Sequence, residues 1–492
     1  MKSMSSIVLL LLSVSLLSCG SQPTDTGSAG TSADTASAVT AEQEAVLISD
    51  LPATDWGGRT FTVLGRESDR AQFTNFEITA QAENGEVVND AVFRRNSRIE
   101  ETYNVHIDQT LDTAPQDALQ LSASSGDHLY DLAFLNMEHI GTAAQNGCLY
   151  DLNTVEYLDF SKPWWNPDVN EAVSLCDKLY FTTSDFSLRD KNRTYILVYN
   201  IDMTAEYDLE DPVSLVREGV WTIDRMTEYV KMISQDLNGD GQMGAEDKYG
   251  LGMDSYTSFS VFTIAQDNRL VSVDDSGAPY IAANTERMVN SIEKSMALTC
   301  NTDYAIFCND FDGKVSGDFW SVAVDAFYEN RAMFLTCFPH SLATLSEKAE
   351  CNYGVVPFPK YDEAQETYLT LADWQAMMFG IPATAEDTTF AGFMLEALSA
   401  GSMNTTLPAY YDISCKTKYS YNTETGEMLD LIFDGIYYEP AMIYGLDKLT
   451  GLIKDDIAAK KVNKFSSLYE KYTKASQASL DRVIEALNSV EH

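Results

Sequence analysis

Histidine is scarce in this chain: five in 492 residues (His106, His128, His139, His340 and His492), and none falls in a triad or metal-ligand spacing. No G-x-S-x-G, H-E-x-x-H or P-loop pattern G-x-x-x-x-G-K-[ST] occurs, so the nucleophile-elbow, zinc-protease and P-loop chemistries have no carrier. Positive charge is short as well. Lys and Arg number 33 against 74 Asp and Glu, a formal net charge of −41. Such a chain has little with which to displace counterions from a nucleic acid or to hold an anionic membrane surface; its acidity reads as solubility at a cell exterior. A carboxylate pair for acid–base work is not singled out by so many acids, since any two qualify. There is no C-x-x-C. Seven cysteines follow Cys19 (Cys148, Cys176, Cys300, Cys308, Cys337, Cys351 and Cys415), and the odd number leaves at least one unpaired. Buried free thiols are expected, with room for one disulfide and no zinc site.

Past the N-terminus no apolar run is long enough to span a bilayer. At the N-terminus, Lys2 precedes an apolar stretch from Ile7 to Leu12 that resumes through Val14, Leu16 and Leu17. Its length is that of a secretory signal, assigned to residues 1–18. It closes on Leu16-Leu17-Ser18-Cys19-Gly20, which resembles a bacterial lipobox. Cys19 is then the acceptor of a diacylglyceryl group, and two or three acyl chains (palmitate among them) anchor where one does not. A plain signal peptide with an incidental cysteine is the alternative. Residues 19–50, mostly Ser, Thr, Ala, Gly and Asp, have almost nothing to bury and read as a disordered tether.

The remainder is long and apolar enough for two lobes. Thr60–Leu64 reads as a strand followed by the loop Gly65–Ser68. A helix from Asn89 sets Val88, Val92, Ile99 and Tyr103 on one face and stops at Asn104. Val105–Ile107, a helix near Asp117–Ser124 and the strand Leu129–Leu135 follow, the last opening on Asn136-Met137-Glu138. Strands alternating with helices at this spacing predict a parallel sheet with right-handed crossovers. Later helices are predicted at Ile223–Ile233 behind the cap Thr222, at Thr285–Leu298 with Met288, Ile292 and Met296 inward, and at Phe390–Ser399. The last, Phe465–Leu487, carries Leu468, Tyr472, Ala475, Val483 and Leu487 as a stripe.

Two motifs carry possible chemistry. Lys162-Pro163-Trp164-Trp165-Asn166-Pro167 holds adjacent tryptophans in extended backbone, so their rings face different sides. One suits the core; the other suits a sugar platform, where C–H groups pack on an indole while hydroxyls seek carboxylates and amides. Asp236-Leu-Asn238-Gly-Asp240-Gly241-Gln242 follows the calcium-loop pattern D-x-[DN]-x-[DN]-G, with Asp247 at the twelfth position where glutamate is usual, as in dockerin loops. The ligand set would be Asp236, Asn238, Asp240, Gln242 and Asp247 around a structural Ca2+; an acidic turn of the Asx type is the alternative.

The stretch Phe327–Pro359 (FYENRAMFLTCFPHSLATLSEKAECNYGVVPFP) reads as helix end, strand, aromatic-proline turn, helix and strand. Its Asn330, Ala332, Met333, Phe338, Pro339, Tyr353, Gly354, Val355 and Pro357 resemble family 1 solute-binding proteins, the two-lobed receptors of ABC importers, maltose-binding type among them. The words NDAVFRRNSRIEETYNV and YDLAFLN look like that family's first lobe. KLYFTTSDFSLRDKNRTYILVYN and LTLADWQAMMFGI look like its crossings, and ETGEMLDLIFDGI like a C-terminal helix. The resemblance runs from Gly58 to near the C-terminus. It implies an α/β, type II-like periplasmic-binding-protein fold: each lobe a mainly parallel sheet flanked by helices, joined by crossing hinge strands. Lobe 1 is assigned 51–188 and 361–405, lobe 2 189–360, and 406–492 to C-terminal helices mainly on lobe 2. It further implies a monomeric, exported receptor, lipid-anchored to the outer face of the cytoplasmic membrane or periplasmic. Such a receptor closes on a solute, here an oligosaccharide, and passes it to ABC permease subunits without chemistry and without a required cofactor. Glu67, Asn136, Glu138, Trp164 or Trp165, Asp185, Arg189, Phe338 and Trp374 would face the cleft. The alternatives are a core tryptophan for Trp374 and a surface pair for Asp185 and Arg189; His340 reads as a polar pocket wall. A secreted glycoside-active enzyme and a structural surface lipoprotein are the competing classes.

Overall fold

The computed structural model describes residues 51–68, 74–410 and 424–490. The signal segment, Cys19, the whole tether and Cys415 lie outside them.

Two sheets organise the chain. The first takes β1 (Arg59–Arg66), β2 (Val105–Asp112), β3 (Leu132–Asn136) and, much later, β12 (Met377–Gly380), in the order β12-β3-β1-β2. β1 runs parallel to both β2 and β3, and β12 is antiparallel to β3. The second holds β4 (Ile196–Asn200), β5 (Tyr249–Met253), β8 (Ala305–Phe307), β9 (Ala332–Cys337) and β10 (Tyr353–Val356), in the order β10-β4-β9-β5-β8. Here β5 is parallel to β8 and β9, while β4 is antiparallel to its neighbours β9 and β10. Each sheet thus has a parallel core with one reversed strand, the mark of a chain that leaves a lobe and returns. β6 (Val271–Val273) and β7 (Pro279–Ile281) form a hairpin, and β11 (Thr370–Leu371) pairs with β13 (Ile436–Tyr437).

Local signals account for the elements. The helix Val87–Tyr103 buries Ala91, Val92, Ile99 and Tyr103, and ends because Asn104 turns left-handed at φ 50°, a conformation its short polar side chain tolerates. Thr222 accepts the amide of Arg225 and so caps Ile223–Ile233, whose Ile223, Met226, Val230 and Ile233 are buried as their spacing predicts. Thr285 does the same for Glu286–Thr299, with Met288 and Ile292 inward and Met296 only partly covered. In Phe465–Ser489 the buried face is Phe465, Ser476, Leu480, Val483 and Leu487; Ala475 points outward, because the helix shifts its stripe by one residue where Ser476 turns in. β3 begins at Leu132 rather than Leu129, which is exposed.

Fully buried β strands of both sheets make one continuous apolar core. Three segments pass between the sheets. Thr194 bridges to Ala372 and Tyr195 donates to the Leu371 carbonyl, while β11 lies beside β13. These rungs lie side by side, so bending there leaves each sheet intact. The C-terminal helices rest on both sheets' helices: Pro440–Ile443 and Phe465–Ser489 against Met137–Gln145 of lobe 1, and Leu452–Ala458 against Thr257–Ala265 of lobe 2. Their expected place, mainly on lobe 2, is therefore only half of what is seen. The six described cysteines after Cys19 are free thiols.

Candidate functional site

In a parallel sheet the loops after the strands gather at one edge, and ligands sit there. On lobe 1 that edge carries Arg66 at the end of β1 and Asn136-Met137-Glu138, where β3 becomes a helix. On lobe 2 it carries Asp254 after β5 and Phe338 after β9. The crossing segments place Arg193, Tyr195, Asp373 and Trp374 between them.

Asn136 is 3% exposed, and its Oδ1 has no hydrogen-bond partner. An orphaned buried acceptor costs about 1–3 kcal/mol, so it is a place for a ligand donor. Glu138 is half-buried, which raises its carboxyl above the usual range, although His139 at 3.2 Å and Arg66 oppose the rise and Asp373 adds to it. Asp254 is likewise held up by burial; it accepts from Ser258 and, at 3.0 Å, from the Thr336 hydroxyl. Both carboxylates can take hydroxyl donors from a ligand at modest desolvation cost.

A cavity of about 370 Å³ opens beside these groups. Glu138 lines it from lobe 1, Thr257 and Ser260 from lobe 2, Leu371 and Trp374 from the crossing, and the stretch 439–455 from the chain's end. Trp374 is 37% exposed, an indole face available to a ligand. The site therefore draws on both lobes and the hinge, an arrangement that closes when the lobes rotate together.

Of the residues expected at the cleft, Glu138 and Trp374 come together here, while Asn136, two positions before Glu138, does not line the cavity. Glu67 is exposed at the end of β1 and does not line this cavity. Phe338 stands at the edge of lobe 2 but is only 8% exposed. The Arg193 guanidinium lies 4.2 Å over its ring, Tyr195 packs at 4.5 Å and His340 stacks at 5.5 Å. Arg193 is itself fixed by Asp373 at 2.8 Å. His340 is buried in this stack and pushed down to about 4 by burial and then by Arg193, so it stays neutral.

The tryptophan doublet is corrected outright. Trp164 and Trp165 are 2% and 3% exposed, and both indoles donate to one carboxylate, Glu396, at 3.1 and 3.0 Å. Both rings are core, and the buried Glu396 on the helix Thr388–Met403 gathers both polar handles. Arg189 is fully buried at the crossing, with Glu77 as its main opposing charge. Asp185 is largely covered, and burial pushes it up to about 7. Neither residue lines the cavity described above.

The acidic loop closes on itself. Asp236 accepts the amides of Gly239 and Gly241, Asn238 that of Asp240, and Asp240 that of Gln242. Asp247 is fully buried and accepts from Leu237 and Gly244, so the twelfth-position carboxylate staples the loop from within. Glu246 instead reaches the mouth, taking the Asn238 amide at 2.9 Å. Among the described residues no three acidic, Cys or His side chains gather as metal ligands.

Thr257 and Ser260 had a weak signal, a hydroxyl-rich loop behind the strand Tyr249–Met253. Asp447, Thr450, Lys454 and Asp455 had none, since only packing brings them in.

Residues 103–407 match the family model described as bacterial extracellular solute-binding protein, well over half of the chain. No curated protein matches it by sequence. Among solved structures, a cyclo/maltodextrin-binding protein complexed with maltotetraose superposes with a TM-score of 0.54 at 14% identity, over 88% of this chain and 97% of that one. A sugar transporter from Rhizobium etli in an open conformation gives 0.56 at 13% identity, over 88% and 100%. UspC from M. tuberculosis gives 0.54 at 12%, over 86% and 100%. At such identities the likeness is one of fold, and it agrees with two sheets joined by crossing strands around a cavity. With the family match spanning both lobes, this chain belongs to the bacterial extracellular solute-binding proteins.

Proposed function

We propose that the protein is a carbohydrate receptor of an ABC importer that captures an oligosaccharide between its lobes and releases it unchanged, without catalysis. The observation that carries this reading is the cavity at the hinge. An exposed indole (Trp374), a raised carboxylate (Glu138) and the hydroxyl residues Thr257 and Ser260 line one space reached from both lobes. A sugar ring offers C–H faces to the first and hydroxyl donors to the others. Cys19 carries the lipid anchor in this reading, the mature chain works as a monomer outside the cytoplasmic membrane, and the permease subunits are its partners. No described helix is long and apolar enough to cross a membrane.

Capture stabilises the closed fold by mass action, about 2.7 kcal/mol at one hundred times Kd. A thermal-shift screen against neutral tetrasaccharides of glucose, xylose, mannose and galactose is the direct test. At least one gives a saturable rise in Tm and is recovered intact; Trp374→Ala abolishes the rise without lowering the unliganded Tm. Cleavage of the bound sugar, or no rise with any of them, rejects the reading.

The Asp236–Asp247 loop is, in the same proposal, a structural clip between the helix Ile223–Ile233 and β5, tightened by Ca2+ through Asp236, Asn238 and Asp240, with Glu246 at the mouth. Melting in calcium against melting in EGTA checks it: a rise of Tm that Asp240→Asn removes is expected, and identical curves dismiss the ion.

A further inference from the structure

One wall of the cavity comes from a part of the chain that the hinge does not require. The helix Asp447–Gly451 runs straight into Leu452–Ala458, a stretch of π-helix, a rare geometry that recurs at functional sites. Asp447, Thr450, Lys454 and Asp455 line the cavity together with Trp374. Leu452, Ile453, Ile457 and Ala458 are buried behind them, so the wall is anchored.

Its seat spans the molecule. On the lobe 1 side, the Ile443 carbonyl comes so close to Gly141 that a Cβ there would stand 2.1 Å from the oxygen. On the lobe 2 side, the π-helical turn packs on Thr257–Ala265. A segment held on both lobes at the cavity is a stop, not a rim.

Its chemistry is also restrictive. Among the described residues Lys454 is the one cation lining the cavity and lies 3.8 Å from Asp455, while Glu138, Asp447 and Asp455 contribute carboxylates. Glu439, the remaining acid, is consumed by the amides of Leu270, Val271 and Ala441. A terminal uronate would meet three carboxylates and a cation already engaged. A neutral sugar end finds acceptors for its hydroxyls and the Thr450 hydroxyl besides.

We propose that the segment 447–455 closes the groove, so that the receptor takes a neutral saccharide end-on, its terminal unit between Trp374 and the wall formed by Asp447, Thr450, Lys454 and Asp455. This rests on the saccharide reading above and adds the direction of binding and the residues that set it. An end-on site rejects chain interiors; a through-groove accepts them.

The test uses the full mature chain and isothermal calorimetry. Each neutral tetrasaccharide that shifts Tm is measured beside the soluble polymer of the same linkage at equal sugar-unit concentration, and beside trigalacturonate. The expected result is a tetrasaccharide at least tenfold tighter per sugar unit than its polymer, with no heat from trigalacturonate. The variant Lys454→Ala/Asp455→Ala keeps the unliganded Tm, since both side chains are exposed, and weakens the tetrasaccharide at least tenfold. A polymer that binds as well as its tetrasaccharide, a uronate that binds, or a variant that binds normally overturns the stop while leaving the receptor intact. Absence of binding by every saccharide overturns the receptor reading, and this inference with it.

Discussion

Glu396 governs the tryptophan doublet. It is buried, accepts both indole N–H groups, and is pushed up to about 7 from an ordinary 4.5, chiefly by burial. A carboxyl whose folded pKa lies above its unfolded value binds its proton more tightly in the fold. Its contribution is therefore fully present below about pH 4.5 and is lost as pH rises through about 7. Glu439 and Asp185 are raised to the same range by burial and act in the same direction. Urea unfolding should show stability falling between these pH values, with a shallower fall in Glu396→Gln. That variant also turns an amide N–H toward one indole donor and costs about 1–3 kcal/mol at low pH. An unaltered pH slope would show that the carboxyl is solvated. The sequence predicted extended backbone at the doublet, whereas the Trp165 N–H closes a turn on the Lys162 carbonyl at 3.2 Å. It had no means of saying that a helix some 230 positions later brings one carboxylate to both, which turns a plausible platform into core.

Among the elements, the contact between Pro440–Ile443 and Met137–Gln145 is the one on which the cavity wall depends. Gly141 is required there by close approach, not by backbone conformation, since it sits inside a regular helix. Gly141→Ala gains helix propensity of about 1 kcal/mol, yet forces its methyl into the Ile443 carbonyl. Overpacking of this kind costs about 1–3 kcal/mol. Net destabilisation is expected, with weaker saccharide binding although no ligand contact is touched. Calorimetry on the variant checks both, and a stabilised protein with unchanged affinity would show that the C-terminal segment is free to shift. Helix starts at Thr222 and Thr285 and the stop at Asn104 were legible because caps act over a few residues. The inward turn of Ser476 and the burial of Phe338 under Arg193 were not, since each is decided by a neighbour distant in sequence.

At the scale of the molecule, crossing segments and the C-terminal helices join the two sheets. Rotation about β11, β13 and the Thr194–Tyr195 strand leaves both cores intact, so closure needs few bonds to change. Small-angle scattering should show the radius of gyration falling when a binding saccharide is added, and identical profiles would remove hinge closure from the account. The charge of −41 adds that any permease contact is strongly salt-dependent.

Periodicity, caps and the order of strand and helix suffice to place an α/β chain with a parallel sheet, because these depend on neighbours within a turn or a strand; the two-lobed arrangement and the crossing chain came from the resemblance. The shortage of Lys and Arg argues against a nucleic-acid partner. Which side chains meet in the cavity was settled only by folding. Glu138 and Trp374 converge with Thr257 and Lys454 because a helix start on each lobe, a hinge and a C-terminal helix reach one point. Burial then decides which aromatic is a surface and which is filling, and burial is a property of the packed whole.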